Sequence, residues 1–153
     1  MLALSAHAQP GSQFPLVLIP VFFAIWFLIS ALASWMGGWS ALARTYRTQT
    51  PFVGAEWTWQ RAQMRWRTNY NSALTLGVNP RGLYLAINFL YRFRHPPLLV
   101  PWSEIKVRRS EGWIFEYAIL TLGHETAIPL KISKSLAASL RAAAGASWPV
   151  EEI

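Results

Sequence analysis

The first third of the chain and the remainder follow different hydropathy patterns. Residues 14–39, FPLVLIPVFFAIWFLISALASWMGGW, are apolar almost throughout, with Ser30 and Ser34 as the only hydroxyls before Gly37. A helix of about 20 residues crosses a hydrocarbon core of about 30 Å, so residues 16–36 are long enough to span a membrane. A cleaved signal peptide is the alternative, because ALA at 31–33 resembles a cleavage site. The length of the run and the lack of basic residues before it argue against cleavage.

A short amphipathic pattern follows the apolar run. Trp39, Leu42, Ala43 and Tyr46 recur at helical spacing, which predicts a short helix lying on the membrane surface. An extension of the membrane helix into water is the other interpretation. The segment QTPFVG, residues 49–54, ends this helix and begins a linker. Side chains that are apolar on one side and polar on the other favour the membrane boundary, and the predicted anchors there are Trp35, Trp39 and Tyr46.

From about residue 56 the hydropathy period becomes two, which is typical of β-strands. In QRAQMRWRT the residues Ala62, Met64 and Trp66 alternate with Arg61, Gln63, Arg65 and Arg67, which predicts a strand with a buried Trp66 and a basic outer face. The sequence ALTLGVNPRGLYLAINF, residues 73–89, predicts a β-hairpin, because NPRG suits a tight turn. Phe89 falls on the apolar side of the second strand.

The second half of the domain continues as strands and ends in a helix. Ser133 is the predicted N-cap of this helix and Gly145 ends it. Six or seven antiparallel strands closed by one helix predict a small barrel or sandwich. The predicted later strands are residues 98–102, 104–109, 113–122 and 126–132.

These elements divide the chain into five parts. They are a short extracytoplasmic N-terminus (1–13), a transmembrane helix (14–38), a juxtamembrane segment and linker (39–55), the β domain (56–145) and a tail (146–153). The tail is expected either to fray or to be anchored to a partner through Trp148 and Ile153.

Charge gives the expected orientation. All 14 Lys and Arg residues and all seven acidic residues, each of them Glu, lie at or after Arg44, and the net charge is +7. By the positive-inside rule the N-terminus is expected outside and the β domain in the cytoplasm. The chain has no Cys, which excludes disulfides, thiolate metal sites and cysteine nucleophiles.

Three local motifs resemble one family. A hairpin containing GLYL, the segment HPPLLVPWSEI and the pattern GWxxLAxxY at residues 38–46 are similar to small uncharacterised bacterial single-pass membrane proteins with a pleckstrin-homology-like (PH-like) cytoplasmic domain. The resemblance covers about residues 37–145. It implies a PH-like fold and a location in the bacterial inner membrane. It implies no catalytic residues, and one fold can host unrelated functions.

The side chains that catalysis requires are sparse. His7, His95 and His124 have no partners at metal or catalytic-triad spacing, so we expect a non-enzymatic protein with no metal and no cofactor. The interleaved Trp and Arg of WTWQRAQMRWR could stack on bases and contact phosphates. Strand alternation and membrane tethering explain the same residues, so no nucleic-acid partner is expected.

The expected function is therefore docking. We expect an accessory or structural subunit of a larger integral-membrane complex, for example a respiratory or photosynthetic one. The alternative is a membrane-anchored module that recognises anionic lipid headgroups. In either case the candidate docking residues are basic: Arg44, Arg47, Arg61, Arg65, Arg67, Arg92, Arg94, His95, Lys106, Arg108 and Arg109.

Overall fold

The computed structural model describes residues 14–111 and 116–152, and it consists of one long apolar helix followed by a mainly β domain. Three α-helices and eight strands are present in the described residues. The helices are α1 (Phe14–Met36), α2 (Trp39–Tyr46) and α3 (Lys134–Ala144). The strands are β1 (Ala55–Met64), β2 (Thr68–Asn79), β3 (Gly82–Ile87), β4 (Leu98–Pro101), β5 (Ile105–Glu111), β6 (Glu116–Leu122), β7 (Ile128–Ser133) and β8 (Glu151–Glu152).

The eight strands form a single sheet in the order β4-β3-β2-β1-β7-β6-β5-β8. Consecutive strands pair antiparallel in two groups, β1 to β4 and β5 to β7, and the two groups meet through the pairing of β1 with β7. The predicted mainly β domain with a C-terminal helix is thus confirmed.

The β2–β3 hairpin forms as the sequence predicts. The side-chain oxygen of Asn79 accepts hydrogen bonds from the main-chain nitrogens of Arg81 and Gly82 at 2.9 and 3.1 Å, which fixes the turn. Leu83, Leu85 and Ile87 are buried as expected. Phe89 is not, because the chain leaves the strand at Asn88 and turns into a short 3₁₀ helix, Phe89–Tyr91.

The interior of the domain lies between the bent sheet and two helices. Leu136 and Leu140 of α3 pack against the sheet, and Ser133 caps this helix as predicted, its hydroxyl accepting from the nitrogen of Leu136 at 3.3 Å. Helix α2 contributes Trp39, Leu42 and Tyr46 to the same core. Burying a side chain the size of Leu42 contributes about 1.5–3 kcal/mol, so α2 belongs to the folding unit of the domain.

Two strand predictions need correction. The first strand ends at Met64, and Trp66 lies in a 3₁₀ turn of residues Arg65–Arg67 with a positive φ of 59°, where its side chain is 71% exposed. The prediction of a buried Trp66 is wrong, because alternation cannot continue through a turn. The tail adds an unpredicted strand, β8, which runs parallel to β5 and pairs Glu151 with Val107. Residues 112–115, the predicted start of β6, lie outside the described residues, as do residues 1–13 and Ile153.

Candidate membrane-docking site

The last turns of α1 are packed against residues 89–94, which we call the aromatic loop. The ring of Trp26 stacks on Tyr91 with 4.8 Å between ring centroids, and Phe27 meets Phe93 at 4.6 Å. The indole nitrogen of Trp26 donates to the carbonyl of Leu90 at 3.3 Å. Aromatic pairs of this kind contribute about 0.5–1.5 kcal/mol each beyond the area they bury. Helix and loop are therefore joined by specific contacts.

A second set of contacts lies nearer the end of the helix. Ser34 is fully buried and donates to the carbonyl of Arg94 at 2.8 Å. The Ser34 oxygen also lies 2.9 Å from the hydroxyl of Ser40 in α2, which must donate because the Ser34 proton is already used. Ser30 is buried as well. Both serines face the protein's own β domain, Ser34 through Arg94 and Ser30 beside Tyr70 and His95.

His95 is part of the core and not of an exposed docking surface. It is 2% exposed and packs edge-on against Trp39. Its Nδ1 lies 3.0 Å from the carbonyl of Phe93 and its Nε2 lies 3.3 Å from the hydroxyl of Tyr70. A carbonyl can only accept, so Nδ1 carries the proton and Nε2 accepts from Tyr70. Burial lowers the pKa of His95 and raises that of Tyr70, so both stay neutral. The assignment of His95 to docking is wrong, because its ring has almost no exposed surface.

Trp39 and Tyr46 also change role. Trp39 is fully buried and donates its indole proton to the carbonyl of Pro96 at 2.9 Å. Tyr46 is buried and donates to the carboxylate of Glu104. Burial, with this carboxylate beside it, raises the pKa of Tyr46 to about 12. Both residues were predicted to anchor the membrane boundary, and their burial in the domain core contradicts this. Trp35 is exposed, so its assignment as an anchor stays a prediction.

One group of arginines lies at the end of the domain that meets α1. Arg65 and Arg67 flank the exposed Trp66 in the turn between β1 and β2, and Arg92 and Arg94 lie in the aromatic loop. The start of β2 places that turn close to α1. A side-chain carbon added at Gly37, just after α1, would come within 3.3 Å of Thr68 and 2.9 Å of the Tyr70 hydroxyl. All four arginines are exposed.

The other predicted docking residues are dispersed. Arg44 and Arg47 are exposed on and just after α2, and Arg61 is exposed on β1. Lys106, Arg108 and Arg109 are exposed on β5, next to β8 and near the opposite edge of the sheet from β4. Salt bridges join Lys106 to Glu152 at 3.1 Å, and Arg109 to Glu151 at 2.6 Å. Residues 92–94 thus lie in the loop before β4, whereas residues 106–109 lie on β5, where two of the three basic side chains are held in salt bridges with the tail.

Sequence reasoning missed the aromatic loop as a contact surface. Its local signal was present, since Phe89, Tyr91 and Phe93 place three aromatic residues within five positions between two strands. Arg92 and Arg94, which lie among these aromatic residues, instead indicated headgroup binding. Within residues 14–111 and 116–152, no group of three His, Asp or Glu side chains is placed to hold a metal ion.

Comparison of the chain with protein-family models, with curated proteins and with solved structures found no match.

Proposed function

We propose that this chain is a single-pass inner-membrane protein whose PH-like cytoplasmic domain is a non-catalytic docking module of a larger membrane complex. Helix α1 supports the membrane span. It is uncharged, its residues 16–36 are long enough to cross a bilayer, and only 6% of its most apolar stretch is buried in the protein. Large apolar side chains on nearly every side of a helix are stable in lipid and costly in water.

Contacts between α1 and the domain favour a retained helix over a cleaved leader. Cleavage after residue 33 would remove Trp26 and Phe27, and with them the packing on Tyr91 and Phe93. A leader peptide has no need of side chains that fit the mature protein. The bent antiparallel sheet with its closing helix agrees with the PH-like fold that the resemblance implies.

One exposed side chain carries the docking role. Trp59 is 65% exposed, and its φ is +57°, in a region that bulky residues rarely adopt. It sits where the pairing of β1 with β2 shifts register between Trp57 and Gln60, so a bulge turns the side chain outward. Strained backbone that presents a large aromatic to solvent costs about 1–3 kcal/mol and persists where function uses it. Trp is also among the residue types enriched in the hot spots at the centres of protein interfaces.

The test is gentle detergent extraction of tagged full-length protein, with quantification of what is held at fixed stoichiometry. Trp59→Asn removes the indole but suits the left-handed backbone, so the fold should be at least as stable. We expect a stoichiometric partner with the wild type and its loss with Trp59→Asn. Val53→Asn, which changes an apolar residue that is 82% exposed, should retain the partner. A partner held equally by both variants contradicts the docking role of Trp59.

Recognition of anionic lipid is the second candidate. Arg65, Arg67, Arg92 and Arg94 lie at the end of the domain that adjoins α1, and each basic residue near an anionic surface contributes about 1 kcal/mol. In vesicles rich in phosphatidylglycerol, the β domain should then lie closer to the membrane surface than it does in neutral vesicles. Arg92→Ala with Arg94→Ala should reduce the difference, whereas Arg81→Ala, in the β2–β3 turn, should not. If Arg81→Ala changes the difference between the two kinds of vesicle as much as Arg92→Ala with Arg94→Ala does, this second role is ruled out.

Topology is tested separately. A reporter fused after Ile153 should be active only in a format that requires the cytoplasm. Activity of an extracytoplasmic reporter at that position would reverse the proposed orientation.

A further inference from the structure

We propose that the aromatic loop, residues 89–94, inserts into the cytoplasmic leaflet beside α1 and is a second membrane anchor of the domain. This inference rests on the proposed membrane span of α1. Its proposed partner is the acyl-chain region of the bilayer.

Depth follows from the contacts with α1. An α-helix rises about 1.5 Å per residue, so Ser34 lies about 3 Å, and Trp26 about 15 Å, from the level of Met36. The carbonyl of Arg94 is bonded to Ser34, whereas Leu90 and Tyr91 contact Trp26. If residues 16–36 cross the bilayer, the loop extends from the cytoplasmic boundary into the hydrocarbon of the inner leaflet.

The exposure of the apolar side chains in the loop also favours insertion. Phe89 is 75% exposed and Leu90 is 55% exposed, and Phe93 is also exposed despite its contact with Phe27. These side chains continue the exposed apolar surface of α1 itself. Clustered large apolar residues of this kind are unfavourable in water and mark a surface that contacts lipid or protein. Lipid is the occupant that already surrounds the adjoining surface of a spanning helix.

The backbone of the loop is prepared for a water-poor environment. Irregular backbone is tolerated at membrane depth only when its polar groups have partners. The carbonyl of Leu90 accepts from Trp26, and the nitrogen of Leu90 donates to the side chain of Asn88 at 3.4 Å. Five other carbonyls accept hydrogen bonds within the chain, those of Asn88, Phe89, Arg92, Phe93 and Arg94.

The two arginines of the loop do not oppose insertion. Arg94 lies level with the end of α1 through its bond to Ser34. The side chain of Arg92 lines a separate cleft with Arg47 and Tyr84, on the domain side of the loop. Long basic side chains can hold their charge at the headgroup level while their stems lie deeper. The loop thus has apolar side chains at its tip, and the charges of Arg92 and Arg94 lie at the headgroup level, where they can contact lipid phosphates.

The chain has no Cys, so single-Cys variants can carry an environment-sensitive fluorophore without background. Full-length protein is reconstituted in phosphatidylcholine–phosphatidylglycerol vesicles, and quenching by acyl-chain-brominated lipids is measured. Leu28→Cys reports on α1, and Phe89→Cys and Leu90→Cys report on the loop. Arg81→Cys is the control, because the β2–β3 turn lies at the far end of β2, about 36 Å from Thr68 at about 3.3 Å per residue.

We expect strong quenching at positions 28, 89 and 90 and little at position 81. Quenching at 28 with none at 89 and 90 overturns the loop insertion but leaves the membrane span intact. Absence of quenching at 28 overturns the span and the inference together. The mutated loop side chains are exposed, so these variants should fold, and thermal unfolding of each labelled protein verifies this.

Discussion

Gly38 forms the turn between α1 and α2, and its replacement by Ala should destabilise the domain by two separable effects. Its φ is +84°, in the left-handed region that favours glycine. An added side-chain carbon would also lie 2.6 Å from Cδ1 and 3.0 Å from Cγ1 of the buried Ile128. One effect is strain in the backbone at residue 38, and the other is crowding of Ile128 in the core by the added side-chain carbon.

The expected magnitude follows from these two effects. A left-handed backbone costs Ala about 1–2 kcal/mol. Forcing an extra carbon into a packed core costs about 1–3 kcal/mol. Gly38→Ala should therefore lower the free energy of unfolding by about 2–4 kcal/mol, allowing for the smaller entropy of the unfolded Ala chain. For a domain of this size that corresponds to a fall in Tm of about 10 °C or more.

The assay is thermal unfolding of the detergent-solubilised protein, followed by the far-ultraviolet circular dichroism of the sheet. Ile128→Val removes the carbon that makes the closest contact, and by itself should cost about 0.5–1.5 kcal/mol. Combined with Gly38→Ala it should recover about 1 kcal/mol or more of the loss, as the coupling of contacting residues predicts.

Gly145 provides the matched control. It also has a positive φ, of 56°, but an added side-chain carbon there would meet nothing within 4 Å. Gly145→Ala should destabilise through the backbone alone, and its effect should add to that of Ile128→Val. If Ile128→Val fails to reduce the destabilisation caused by Gly38→Ala, or reduces the destabilisation caused by Gly145→Ala equally, core overpacking is refuted as the cause.

Three further predictions follow from the site. Trp39→Phe leaves the part-buried carbonyl of Pro96 without its donor and should lower the free energy of unfolding by about 1–3 kcal/mol, measured by the same thermal unfolding. The lowered pKa of His95 means that the unfolded chain takes up a proton before the folded one does, so stability should fall as the pH drops below about 6.5, and His95→Gln should flatten this dependence. Glu151→Gln loses its bonds to Arg109 and Arg141, so amide exchange in the tail should accelerate while global stability changes by less than about 1 kcal/mol.

Each of these has its own control. Trp35→Phe changes an exposed indole and should leave the Tm unchanged; an equal loss there would contradict the hydrogen-bond argument. A pH dependence of stability near neutrality that persists in His95→Gln would assign it to other groups. Glu125→Gln, at an exposed turn carboxylate, should leave exchange in the tail unchanged, and unchanged exchange in Glu151→Gln itself would show that the salt bridges do not hold β8.

Much of the secondary structure could be predicted, because its signals are local. The apolar run, the NPRG turn and the Ser133 cap each act within a few residues, and each is found where the sequence indicates. The two-residue strand β8 could not be predicted in this way. It exists only because β5 offers an open edge and Arg109 holds Glu151.

The candidate site was harder to predict, because its contacts join distant parts of the chain. Arginines and aromatics in residues 89–94 indicated a docking function, yet nothing local showed that Tyr91 and Phe93 would face α1. The bond between Trp26 and Leu90 spans 64 residues of sequence. Periodicity gives the type of an element and which residues share a face. It does not give what that face will meet.

The sequence by itself thus determined an uncharged helix long enough to span a bilayer, a basic β domain after it and a closing helix. Hydropathy and capping carry this information, since both depend on neighbouring residues. Only the tertiary structure decided that Trp39, Tyr46 and His95 are core residues while Trp66 and Phe89 are exposed. Burial depends on which elements pack together, and the Trp39 bond to Pro96, 57 residues away, forms only once α2 closes onto the sheet.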